Sequence, residues 1–231
     1  MSDNYERIGS ALDRFQEAHF WIHMMENFYH DADPFRWHLN VFLKAIKEVP
    51  QIVQMELQNE RGFPEWFKPH RTDLNNDELF GVLSKKRDFV VHQGMLVPNT
   101  HASLGVTEGR GMKLGLTYPV HPLEDSESAM TRYLHHASMH DDFLGVLMPD
   151  DDSMPCVRRR WQLDNHDLEV VELCSQTWLR VGKTIEKVLI WLGEESVPKL
   201  ALSCRHSNQR VQYKLFDRDK LIKEYATIKG Q

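Results

Sequence analysis

Residues 164–193, DNHDLEVVELCSQTWLRVGKTIEKVLIWLG, decide the fold class. Val171, Cys174, Trp178, Val181, Ile185, Val188 and Leu192 return at alternating steps of three and four, the rhythm that keeps one face of an α-helix apolar. Asp164 or Asn165 supplies an N-terminal cap and Gly193 a stop. The same rhythm recurs near the start of the chain in Ile8, Ala11, Phe15, Ala18, Ile22, Met25 and Tyr29, which predicts a helix running to about His30. Asp33-Pro34 then opens a second helix with Phe35, Leu39, Phe42, Ile46 and Val49 on its buried face. Val53 and Leu57 continue that pattern past Pro50, so the proline kinks this helix rather than ending it, and Gly62-Phe63-Pro64 closes it. After a loop rich in turn formers, Leu79, Phe80, Leu83, Val90 and Val91 mark a third helix, with Gly94 and Pro98 beyond its end.

Between Leu104 and Val120 the period changes to two, with Met112, Leu114, Leu116, Tyr118 and Val120 alternating and Glu108-Gly109-Arg110-Gly111 at the turn. A β-hairpin is predicted there. Asp125 or Ser126 caps a short helix reaching about Phe143, followed by a solvated loop at 148–152. The tail offers strands at 199–203 and 211–216 and a charged helix near 217–225. The expected architecture is mainly α, an up-and-down helical bundle over 1–195 with a hairpin insert near 104–120. A short mixed tail, 196–231, packs on it as part of one compact domain.

Bulk properties narrow the function. The chain has 231 residues, 41% of them hydrophobic, enough for a packed core. A net charge of -6 excludes a surface that tracks a phosphate backbone everywhere, so any nucleic-acid contact is local. Cys156, Cys174 and Cys204 are odd in number and far apart, which fits neither a disulfide framework nor a paired-cysteine metal site and suggests a reducing cytoplasm. The polar, acidic start and the lack of an apolar run of about 18 residues predict neither a signal peptide nor a membrane span.

With 13 His in the chain, an Arg and a His with four to six residues between them is a loose pattern, met at Arg14/His19, Arg159/His166 and Arg160/His166 as well as at Arg87/His92. Context separates the last. In Arg87-Asp88-Phe89-Val90-Val91-His92 a polar residue follows the Arg, three apolar residues come next, and Gln93-Gly94 follow the His. This segment resembles the Arg-polar-x-x-x-His signature of the higher eukaryotes and prokaryotes nucleotide-binding (HEPN) superfamily, whose members are up-and-down helical bundles with the motif on a later helix. The likeness covers residues 1–100 and the helix at 165–193. Asn is commoner than Asp after the motif Arg, so Asp88 keeps the polar character and loses an amide donor.

The resemblance implies a metal-independent endoribonuclease of toxin or antiviral-defence type, working at a homodimer cleft without cofactor or metal. His92 would act as general acid/base on the 2'-hydroxyl and leaving oxygen, Arg87 would stabilise phosphate charge, and Asp88 would support them. On a helix Arg87 and His92 stand about 140° apart, so one copy is a poor two-sided clamp. The alternative is a noncatalytic module holding a nucleotide, RNA or protein, with an antitoxin or regulatory protein as a further partner in either case. Lys85 and Lys86 add positive charge beside the motif, and Arg158, Arg159, Arg160 and Trp161 combine cations with a ring able to grip RNA, against the blander reading of a solvated turn.

His19, His23, Glu26 and His30 share one stripe of the first helix with metal-ligand spacing, but neither Glu-x-x-His nor His-Glu-x-x-His occurs anywhere, and a polar helix face is the expected meaning. His135, His136, His140 and Asp141 are read as a solvated face. Gly182-Lys183-Thr184 is not a phosphate loop, since Thr177 stands where glycine is required.

Overall fold

A computed structural model describes residues 3–108, 111–139, 153–163, 166–194 and 211–230. The chain is mainly helical, with a small antiparallel sheet. In chain order the elements are α1 (Asp3–Glu6), α2 (Gly9–Asn27), α3 (Ala32–Leu57), α4 (Phe63–Asn75), α5 (Glu78–His92), β1 (Asn99–Glu108), β2 (Gly111–Tyr118), α6 (Ser126–Ser138), β3 (Pro155–Gln162), α7 (Val170–Trp191), β4 (Tyr213–Leu215) and α8 (Arg218–Lys229). They form two compact units, the first of residues 1–27, 36–96 and 170–206, the second of residues 28–35, 97–169 and 207–231. The boundary expected at 195/196 and the strand expected at 199–203 lie outside the described residues.

The first unit is built on the helical stripes. α2, α4 and α5 each pack against α7. Ile8, Ala11, Phe15, Ala18, Ile22 and Met25 are fully buried, as are six of the seven stripe residues of α7, Leu192 remaining half-exposed. Trp178 stacks flat on Phe15 at 4.6 Å and donates its indole N–H to the Phe15 carbonyl at 3.0 Å, joining α7 to α2. α3 does continue through Pro50, with Val53 and Leu57 buried beyond it. Gly193, at φ +98, ends α7 in the left-handed region that suits glycine. α2 stops at Asn27, three residues short of the expected end.

Residues 63–75 correct the expected loop, because they form α4. Gly62 at φ +84 turns the chain, Pro64 sits in the first turn, and Phe63, Phe67 and Leu74 are buried. The polar, proline-bearing composition hid a helix whose apolar anchors are only three.

In the second unit the sheet runs in the order β2-β1-β3-β4, every neighbour antiparallel. Its apolar face, Leu104, Val106 and Val157, packs on Met130, Leu134 and Ala137 of α6 and on Leu221 and Tyr225 of α8. β2 is an edge strand. Leu116, paired with buried Leu104, is therefore 50% exposed, and the expected buried stripe of the hairpin is only partly so. The expected turn at Gly109-Arg110 lies outside the described residues. Asp125 does stand before α6, yet its carboxylate accepts the backbone N–H of Ala32 at 2.6 Å instead of capping its own helix.

His30 shows how tightly this unit holds a polar side chain. Its Nε2–H donates to the Val211 carbonyl at 2.9 Å, which leaves Nδ1 to accept the hydroxyl of buried Ser126 at 2.8 Å. Accepting the Ser126 hydroxyl requires the neutral ring, and burial, opposed by the Val211 bond, pulls the His30 pKa down to about 3. The folded state therefore binds fewer protons than the unfolded one between pH 6.5 and about 3. Stability contributed by this group is complete above pH 6.5 and falls with acid by at most about 1.4 kcal/mol per pH unit. Chemical unfolding at pH 6 and at pH 4.5 checks this: His30→Gln should show a shallower acid loss than the parent chain, and equal slopes would reject it.

Candidate functional site

α5 carries the Arg87–His92 segment. Asp77 starts the helix by accepting the Phe80 backbone N–H at 3.0 Å, and the same carboxylate pairs with Arg180 of α7. Leu79, Phe80 and Leu83 bury the first half of α5. The motif half is different, with Phe89 and Val90 half-buried, Val91 51% exposed and His92 exposed. Backbone N–H groups of Gln93 and Gly94 both reach the Phe89 carbonyl and end the helix at the motif histidine. Met95, three residues after His92, is a further exposed apolar side chain at 53%.

Arg87 is held through Asp88. Its Nη1 lies 3.2 Å from Asp88 Oδ1, and the same oxygen accepts Lys47 Nζ from α3 at 2.6 Å. The Lys47 hydrogen bond, joined by that of Arg87, keeps the Asp88 carboxyl below the usual carboxylate range. The carboxylate is half-exposed, so water and salt screen this triad and it orients more than it stabilises. Arg87 Nε is buried with no hydrogen-bond partner among the described residues. Lys85 is exposed and Lys86 half-buried, with burial drawing the Lys86 pKa down. The sequence carries no local signal for Lys47, which lies 41 residues from Asp88.

The three consecutive arginines separate, which corrects both the reading of a solvated turn and the role expected of Arg159. Residues 158–160 belong to β3, where alternate side chains face opposite ways. Arg159 points inward and is fully buried. It donates to the carbonyls of Glu124 at 2.7 Å and His121 at 3.4 Å and to the Thr100 hydroxyl at 3.0 Å. Its guanidinium carbon sits 3.8 Å from the centre of the Trp161 ring, and burial pulls its pKa down to about 10. No ligand arriving from solvent meets it. Arg158 is exposed and Arg160 half-exposed on the opposite face, Arg158 lying over the Tyr213 ring at 5.7 Å.

The histidine stripe of the first helix disperses. His19 stacks on Trp178 at 4.5 Å, His23 bonds Glu26 at 2.8 Å, and His30 serves the second unit as described above. Among the described residues no three of His, Cys, Asp and Glu gather as metal ligands. His135 and His136 are exposed on α6, whereas His140 and Asp141 lie outside the described residues. Cys156 and Cys174 are buried, and burial pushes the Cys156 thiol up to about 11. Gly182 and Thr177 are buried within α7, as a helix interior requires. No helix among the described residues is long and apolar enough to cross a membrane.

Comparison with known proteins gives one family. The model of the family described as bacteriophage lambda protein ea47 matches residues 8–168, which takes in both units from α2 through β3. No curated protein and no solved structure matches the chain. Because the match covers more than two thirds of its 231 residues, the chain belongs to the bacteriophage lambda protein ea47 family.

Proposed function

We propose that the protein is a metal-independent endoribonuclease of the HEPN type, its helical unit an up-and-down bundle and its site completed by a second copy of the chain. The observation that carries this reading is the state of the motif on α5: Arg87 is fixed by Asp88 and Lys47 while His92 stands exposed at the helix end, with exposed Val91 and Met95 close by in the chain. An oriented guanidinium engages phosphate oxygens at low entropic cost, and an accessible imidazole can reach a 2'-hydroxyl. The exposed apolar residues around His92 supply a surface for dimerisation. Across a two-fold axis the same patch meets itself, bringing two motifs together so that one His serves as base and the other as acid. Toxin or antiviral-defence activity in the cytoplasm, with an antitoxin or regulatory partner, is the setting such an enzyme fits.

The test is cleavage of RNA by the purified chain in excess chelator. Cutting that leaves 2',3'-cyclic phosphate ends is expected, with His92→Ala and Arg87→Ala each reducing the rate by about 100-fold or more at unchanged far-UV circular dichroism. Cleavage by His92→Ala at the parental rate would reject the assignment. A second reading, a noncatalytic module for RNA, nucleotide or protein, draws support from the exposure of His92 at the helix end, with no hydrogen bond to its ring among the described residues. That reading expects binding sensitive to Arg87→Ala and no cleavage.

A further inference from the structure

The cavity that α3 and α4 enclose lies apart from the motif residues and has a volume of about 470 Å³. Its floor is Phe67, which is buried and stacks on Phe63 at 5.1 Å. The walls carry the cations Lys68 and Arg71 and the uncharged polar residues Gln54, Thr72 and Asn75, the Thr72 hydroxyl donating to the Lys68 carbonyl at 3.0 Å. No carboxylate lines it, since Glu65 and Asp73 lie elsewhere on α4. In a chain of net charge -6, two cations converging without an acidic neighbour in the lining stand out. Gln54 Oε1 accepts a hydrogen bond from Arg71 Nη1, which orients the guanidinium from α3. A guanidinium has five N–H donors, so that bond leaves several for an anion. Neither Lys68 nor Arg71 pairs with a carboxylate among the described residues. The volume falls in the range of sites that take small organic ligands, ample for one nucleotide unit and larger than a bare phosphate needs.

We propose that this cavity is a nucleotide subsite for single-stranded RNA, with a backbone phosphate between Lys68 and Arg71 and the nucleotide against the exposed Pro64. The assignment of RNA as ligand rests on the proposed ribonuclease reading, and the cavity's preference for a phosphate anion does not. The subsite and the motif are joined through α5. Asn75 at the end of α4 has its carbonyl 3.7 Å from the position a Cβ would take at Gly81 of α5, and α5 then rises about 16 Å over eleven residues to His92. A strand of a few nucleotides spans that distance.

The experiment measures binding of a fluorescent 2'-O-methyl oligoribonucleotide, which cannot be cut through its 2' position, to the full chain as salt is varied. The double variant Lys68→Gln/Arg71→Gln should bind about tenfold more weakly, with a salt slope reduced by about one to two. Thr72→Glu, which keeps both cations and places a carboxylate among them, should weaken binding to a similar extent. Unchanged affinity and slope in both folded variants would overturn the proposal, whether or not the chain cuts RNA. Adenosine monophosphate binding in the cavity with no oligoribonucleotide bound would overturn the RNA assignment in favour of a free nucleotide. Oligoribonucleotide binding that depends on Lys68 and Arg71, in a chain that never cuts unmodified RNA, would uphold the subsite and reject the cleavage reading alone.

Discussion

Trp178→Ala is expected to lower the free energy of unfolding by about 3–5 kcal/mol, the range for removing a large aromatic side chain from a packed core. Trp178 is 2% exposed, stacks on Phe15 and His19, and donates to the Phe15 carbonyl. Truncation leaves a cavity between α2 and α7 that neither helix can close without moving its whole stripe. Urea unfolding followed by far-UV circular dichroism measures the loss. Trp178→Phe restores most of the volume and forfeits the hydrogen bond, so it should recover more than half of the difference. A loss below about 1 kcal/mol for the alanine variant would mean that this contact does not anchor the first unit.

Arg159→Ala is expected to cost the second unit about 3–5 kcal/mol, since each buried acceptor left without its donor costs about 1–3 kcal/mol. Truncation loses the donors to Glu124, His121 and Thr100 and the stack on Trp161, itself fixed by its indole bond to the Tyr29 carbonyl and by Phe35 at 4.6 Å. Arg159→Lys is the sharper test. Its ammonium keeps the charge and lacks the planar fork that reaches three acceptors while lying on the ring, so it should remain well below the parent in stability. By contrast Arg158→Ala, on the exposed face, should change stability by less than about 0.5 kcal/mol. Equal stability of the Arg159→Lys variant and the parent would show that charge, not the fork, is what the site requires.

These two residues mark how far the sequence can be read. The stripe of α7 repeats every three or four residues because a helix buries one face, and every position of it but Leu192 is buried. Composition gave no comparable signal for Arg158-Arg159-Arg160: three cations in a row suggest solvent, and only pairing of β3 with β1 turns the middle one inward. α4 escapes a reading of the sequence for a related reason, since three apolar anchors among prolines and charges do not declare a period. The edge position of β2 likewise decides that Leu116 is exposed although its alternation with Tyr118 and Val120 is genuine.

The motif segment divides in the same way. Its residues, their order and their place on a helix were legible locally, because a helical turn is a local structure. Lys47 holding Asp88, the buried Arg87 Nε, and the exposure of His92, Val91 and Met95 come from packing between segments distant in sequence. So does the pairing of Gln54 with Arg71 that shapes the α3–α4 cavity. The sequence by itself determined the helical stripes, the hairpin and the chemistry available on α5, since periodicity and side-chain type are properties of neighbouring residues. Only the tertiary structure decided which arginine is buried, which histidine is neutral and which carboxylate holds the motif arginine. Those outcomes depend on desolvation and on partners that the chain brings together only when it folds.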